Sequence, residues 1–206
     1  GLASDALGHI YNSEIYNGRI KQIRASDGVV LKTIDLPYST YGIAVEGDTQ
    51  VVWLANWQAY GAVIRVDFKT GQYQLIRNPL WGNWGNTRGV ALDEEGKVWV
   101  SNWNRNALSV YNPATGQWEK NFGVASGPIG VGIDSNNRVW TANYYAANAT
   151  RIDPAVGNGA PIDSKQLGAY PYSYSDMTGF QLTHGVVKQG TWTVTHDSGQ
   201  AGLEWG

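Results

Sequence analysis

The chain has 206 residues and a formal net charge of −2, enough for one domain that buries ~70% of its unfolded surface, without the basic footprint that nucleic acid or acidic membranes require. It contains no cysteine, which excludes a disulfide framework, thiolate catalysis and Cys-ligated zinc. With 26 Gly, 10 Trp and 12 Tyr, and charged residues at 16% against roughly 25% in typical soluble domains, the composition favours many short strands joined by tight turns. No apolar run reaches the ~18 residues of a membrane span, so no membrane insertion is expected. No signal peptide is read, and the single methionine is Met177; the chain is expected to be a processed or partial product.

In chain order, residues 1–8 read as an N-terminal segment, followed by a block that recurs about every 41 to 47 residues. The first copy, about 9–36, is degenerate: Ile10-Tyr11-Asn-Ser-Glu14, then Ile23-Arg24 and Asp27-Gly28. Its inner-strand segment is missing in this reading. The second copy, about 41–79, runs from Gly42-Ile-Ala-Val-Glu46 through Val52-Trp53-Leu-Ala-Asn56-Trp57 to Asp67-Phe-Lys-Thr70-Gly71. The third, about 88–125, runs from Gly89-Val-Ala-Leu-Asp93 through Val98-Trp99-Val-Ser-Asn102-Trp103 to Asn112-Pro-Ala-Thr115-Gly116. The fourth, about 129–168, repeats it with Gly130-Val-Gly-Ile-Asp134, Val139-Trp140-Thr-Ala-Asn143-Tyr144 and Asp153-Pro-Ala-Val156-Gly157. Each copy parses into four strands separated by turns in which Pro fixes φ early and Gly accepts the left-handed geometry late. The Trp at the second position of each second strand (Trp53, Trp99 and Trp140, with Tyr11 in the first copy) is expected to pack between neighbouring sheets.

Four strands per ~43 residues with no helical periodicity indicate an all-β propeller of four-stranded antiparallel blades spanning 9–177. Four blades closed into a ring by pairing of residues 170–177 with the first copy is the preferred reading; an arc of a larger propeller, completed by another chain or domain, is the alternative. Residues 178–206 hold one good strand, Gly190 to Thr195, and read as a tail or the start of a further domain.

The block G-(hydrophobic)…D-x-x-G-x-V-W-V-x-N…(D/N)-P-x-T-G resembles the blades of streptogramin (virginiamycin B) lyase-like and NHL-type propellers, with similar blades in secreted bacterial surface proteins. The resemblance implies the propeller fold and an extracellular or cell-surface location, periplasmic included. In the lyase branch it implies a Glu three residues after the Trp, paired with a His just before an inner strand in a metal-assisted site. Here the Glu position holds Asn56, Asn102 and Asn143, with only Glu14 acidic in the first copy. The His position holds Tyr41, Arg88, Ile129 and Tyr172. The expected carboxylate pair and general base are absent from those positions.

The Asn-aromatic pairs are the leading site candidates: Asn56-Trp57, Asn102-Trp103 and Asn143-Tyr144 end successive second strands. Tyr60, Tyr145 and the insertion Leu80-Trp81-Gly-Asn-Trp84-Gly-Asn-Thr-Arg88 fall on the same face. Aromatic faces stack on the C–H surfaces of sugars, while amides and Arg satisfy hydroxyls. The plainer reading makes each Asn a cap for blade turns and each aromatic a packing residue, leaving Trp81 and Trp84 as residues no blade position requires. Asp93-Glu-Glu95 and Asp134-Ser-Asn-Asn137 read as hairpin turns rather than calcium loops. His9, His184 and His196 are too scattered for a metal site, and Asn148-Ala-Thr150 matches the N-glycosylation acceptor pattern.

The function expected is a non-enzymatic extracellular binding or scaffold module, recognising a carbohydrate or other small polar ligand through the aromatic/Asn face, without catalytic residues or cofactor. The alternatives are a metal-dependent lyase or lactonase-like hydrolase, with Glu14 as the surviving divalent-metal ligand, and a structural subunit of a surface assembly.

Overall fold

In the computed structural model, residues 1–58, 60–82, 85–156 and 160–173 are described. They form four antiparallel sheets of four strands each, in strict chain order. The first contains β1 (Leu2–Ser4), β2 (His9–Ser13), β3 (Arg19–Arg24) and β4 (Val30–Asp35). The second contains β5 (Thr40–Val45), β6 (Val51–Asn56), β7 (Val63–Asp67) and β8 (Tyr73–Ile76). The third contains β9 (Thr87–Leu92), β10 (Val98–Asn102), β11 (Ala107–Asn112) and β12 (Gln117–Gly123), with a single 3-10 turn at Trp103–Arg105. The fourth contains β13 (Pro128–Ile133), β14 (Val139–Asn143), β15 (Asn148–Ile152) and β16 (Asp163–Gln166). The inner strands β1, β5, β9 and β13 lie side by side in that order. This is the stacking of propeller blades.

Alternation along each strand feeds two cores at once, because successive side chains leave a strand on opposite faces. In β5, Ile43 and Val45 join Tyr11, Ile20 and Leu54 between the first two blades. Ala44 instead joins Trp53, Val90 and Val100 between the second and third. Ala91 and Trp99 then pack with Val131, Ile133 and Ile152 between the third and fourth. Trp53 and Trp99 are each 1% exposed, which bears out inter-blade packing for both. Trp140 is only partly buried, since its side of the fourth blade has no further sheet among the described residues.

A carboxylate holds each of these aromatic residues from the hairpin before it. Asp93 accepts the Trp99 indole N–H at 2.8 Å through one oxygen, and the backbone N–H groups of Glu95 and Lys97 through the other. Asp134 does the same for Trp140, Asn136 and Arg138, and Glu46 accepts from Trp53 at 3.0 Å. Burial raises the Asp93 carboxyl above its ordinary value. At Asp134 burial acts the same way, but the bonds from Trp140, Arg138 and Asn136 outweigh it and the net shift is downward.

The first blade corrects the sequence reading. Asp5 accepts from the Tyr11 hydroxyl at 2.9 Å and from the backbone N–H of Leu7 and His9, the same clasp with Tyr in place of Trp. Residues 1–8 are therefore the inner part of a complete blade, with Leu2, Ala3 and Ser4 paired to Asn12, Tyr11 and Ile10. β3 occupies the other edge of β2. Both edges of β2 are taken by β1 and β3, so the expected pairing of residues 170–173 with it does not form; residues 174–177 lie outside the described residues. The signal was present: Asp5-x-x-Gly8-x-Ile10-Tyr11 keeps the spacing of Asp93-x-x-Gly96-x-Val98-Trp99. The proposed tail strand at 190–195 lies outside the described residues.

Candidate functional site

Three inner strands carry a bulge at the same place. Thr40 pairs with Asn56 and Ile43 with Leu54; Thr87 pairs with Asn102 and Val90 with Val100; Pro128 pairs with Asn143 and Val131 with Thr141. Each time, three residue steps on the inner strand face two on its partner, and a bulge of that kind re-aims a side chain. The re-aimed residues are Tyr41, Arg88 and Ile129, each followed by glycine. A Cβ on Gly89 would lie 2.5 Å from the Ile129 carbonyl oxygen and 2.6 Å from the Val131 nitrogen. Gly42 meets the Arg88 carbonyl oxygen in the same way. Close approach of adjacent inner strands thus fixes glycine there.

Opposite each bulge sits the asparagine of the repeat. Asn56, Asn102 and Asn143 are 1%, 0% and 0% exposed. Asn56 Oδ1 accepts from the Gln58 N–H, Asn102 Nδ2 donates to Ser109 Oγ at 2.8 Å, and Asn143 Nδ2 donates to Asn148 Oδ1 and Thr150 Oγ1. These amides are sealed inside their blades. They support the face rather than line it, which corrects the expectation that they alternate with aromatic rings at the surface.

The residue after each asparagine leaves the sheet in a repeated manner. The backbone N–H of Trp57, Trp103 and Tyr144 donates to the carbonyls of Ser39, Asn86 and Gly127, at 3.0, 3.0 and 2.8 Å. Each acceptor immediately precedes an inner strand. Three aromatic side chains are thereby presented at one end of successive blades, beside the bulge residues.

The structure brings these rings together around Arg88. Tyr41 stacks on Trp57 with centroids 5.0 Å apart and planes at 18°. The Arg88 guanidinium carbon lies 4.0 Å from the Trp57 centroid, 4.0 Å from that of Trp103 and 5.3 Å from that of Tyr41. Trp103 continues the array to Tyr144 and Tyr145 at 5.6 and 5.0 Å. Tyr170 and Tyr172 then pack on Tyr144, and the Tyr172 and Tyr41 hydroxyls hydrogen-bond to each other. Burial pulls the Arg88 guanidinium below its ordinary pKa, while Tyr41, Tyr172 and Tyr145 act in the opposite direction. Its Nε is buried without a hydrogen-bond partner, and no carboxylate pairs with it among the described residues.

Other candidates lie elsewhere. The Trp81 indole N–H donates to Ser109 Oγ at 3.0 Å, and that hydroxyl also accepts from Asn102 and donates to Asn121. Trp81 thus pins the insertion to the third blade. Tyr60 faces Arg77, whose guanidinium carbon is 4.2 Å from its ring centre. Trp84 lies outside the described residues. Glu14 is paired with Lys21 at 2.7 Å and bonded by Asn17, contacts that hold its carboxyl below the ordinary value. No cluster of three His, Cys, Asp or Glu capable of holding a metal occurs among the described residues. Tyr41, Tyr170 and Tyr172 were not candidates in the sequence, although Tyr41, Arg88, Ile129 and Tyr172 occupy one recurring position.

No family model matches the chain, and no curated protein matches it. Among solved structures it is similar to virginiamycin B lyase from Staphylococcus aureus, at 19% identity and a TM-score of 0.68, over 80% of this chain and 54% of that one. It is also similar to hydrazine synthase from Kuenenia stuttgartiensis, at 16% identity and a TM-score of 0.69, over 81% of this chain and 48% of that one. A functionally unknown protein from Desulfotomaculum acetoxidans gives 12% identity and a TM-score of 0.67, over 82% and 56%. The chain spans about half the length of the structures it matches, and the likeness establishes the β-propeller fold.

Proposed function

We propose that the chain is a non-catalytic propeller module that binds a glycan or another polar ligand through the aromatic face formed by Trp57, Trp103, Tyr144 and Tyr145. The observation that carries this reading is the continuous ring array around Arg88, with Tyr145 61% exposed at its rim. Flat, partly exposed rings held in fixed positions stack on apolar sugar faces at low entropic cost. The extracellular placement rests on the resemblance of the blade motif to those of secreted bacterial proteins.

A glycan and peptide array probed with the native chain and with Trp57→Ala combined with Trp103→Ala tests the reading. Binding by the native chain that disappears in the double variant supports it; an unchanged binding pattern overturns it. The enzyme reading makes a separate demand, micromolar binding of Mg²⁺, Ca²⁺ or Mn²⁺ that is lost in Glu14→Ala, and calorimetric titration decides it.

A further inference from the structure

We propose that the ligand of the aromatic face carries a carboxylate, and that Arg88 is the residue that grips it; an acidic sugar, a uronate, is the class that fits. The inference rests on the binding reading above and narrows it. A buried or half-buried cation in a folded protein ordinarily has an ionised partner, because removing charge from water is costly unless it is paired. Arg88 has none among the described residues. Its guanidinium carbon sits 4.0 Å from the ring centres of both Trp57 and Trp103, and the groups that act on its charge are tyrosines rather than acids.

Stacking occupies the two faces of a guanidinium and leaves its edge, where all five N–H donors lie. That edge suits the paired oxygens of a carboxylate. Tyr41 takes one hydrogen bond from the guanidinium, while its buried Nε lacks a partner, so the donor capacity of Arg88 is not fully claimed. Around it, the exposed Tyr145 and Tyr172, at 61% and 48%, supply a hydroxyl-bearing aromatic rim for a sugar ring. A neutral glycan would use the rim and leave the cation unpaired; an acidic one satisfies both.

The test is calorimetric titration of the native chain with trigalacturonate, with its fully methyl-esterified form, and with maltotriose, repeated for Arg88→Gln and Arg88→Lys. Folding of each variant is checked by its thermal transition. The free acid should bind at least about tenfold more tightly than its ester, the scale of a hydrogen bond to a charged group. Arg88→Gln should abolish that preference and Arg88→Lys should retain part of it. Equal binding of acid and ester by the native chain overturns the proposal without any variant being needed, and it leaves the aromatic-face reading standing. Absence of binding to all three saccharides overturns the uronate assignment, and an array negative as well removes the underlying reading.

Discussion

Tyr11 shows how one buried hydroxyl makes stability depend on pH. It is fully buried, and burial together with its bond to Asp5 raises its phenol above the ordinary 10.0. The unfolded chain releases this proton near pH 10 while the folded chain keeps it, so stability is intact below that pH and falls as pH rises through it. Urea unfolding at pH 7 and above 10 should show this alkaline loss shrinking in Tyr11→Phe, which should itself cost about 1–2 kcal/mol at neutral pH. Asp93→Ala should cost more, about 2–3 kcal/mol by the same measurement, because it strands the indole N–H of the buried Trp99 and two turn amides at once. Asp134→Ala should cost less than Asp93→Ala, since Trp140 is partly exposed and its N–H can reach water.

The bulge and its glycine set the spacing between neighbouring sheets. Gly89→Ala would push a methyl group into the backbone of β13, which cannot move aside as a side chain could. A loss of about 2 kcal/mol or more is expected, the cost of overpacking a rigid contact. Gly96→Ala, at φ +76° with open space around its Cβ, should cost only about 1 kcal/mol through backbone strain. Thermal unfolding of the pair separates crowding from strain. The strands themselves were legible, because the apolar run Gly89 to Leu92, the alternation of Lys97 to Ser101 and the Asp-x-x-Gly turn are local signals. Burial of the asparagines was not, because Asn102 points at Ser109 and Asn143 at Thr150, diagonal neighbours on the adjacent strand that only the pairing register brings within reach. The role of Trp81 was hidden for a similar reason: the Asn78–Trp81 turn docks on a neighbouring blade, and a loop's docking leaves no period in the sequence. Asp5 was readable from its spacing to Tyr11, but the three-residue segment Leu2–Ser4 before it is too short and too little apolar to signal an inner strand by itself.

At the scale of the molecule, the four blades do not share equally in burial. The second and third have a sheet on each side, whereas the first leaves Leu2 63% and Val30 51% exposed on or beside its outer face. In a stack whose units contact only their neighbours, stability is a sum of unit and interface contributions, and an end unit lacks one interface. Hydrogen exchange should therefore be slowest in β5–β7 and β9–β11 and fastest in β1 and β4. Uniform protection across all four blades would show that the outer face of the first blade is covered in solution.

The repeated bulge has a consequence for how such a fold diversifies. In three of the four blades it dictates the direction of one side chain through the backbone alone, with the following glycine absorbing the steric demand, so the identity of that residue is left open. This chain places Tyr, Arg and Ile at successive bulges without disturbing the alternation on either side. Substitutions there can change which chemistry the propeller presents while the packing between its sheets is untouched, so recognition and folding are encoded in separable sets of positions.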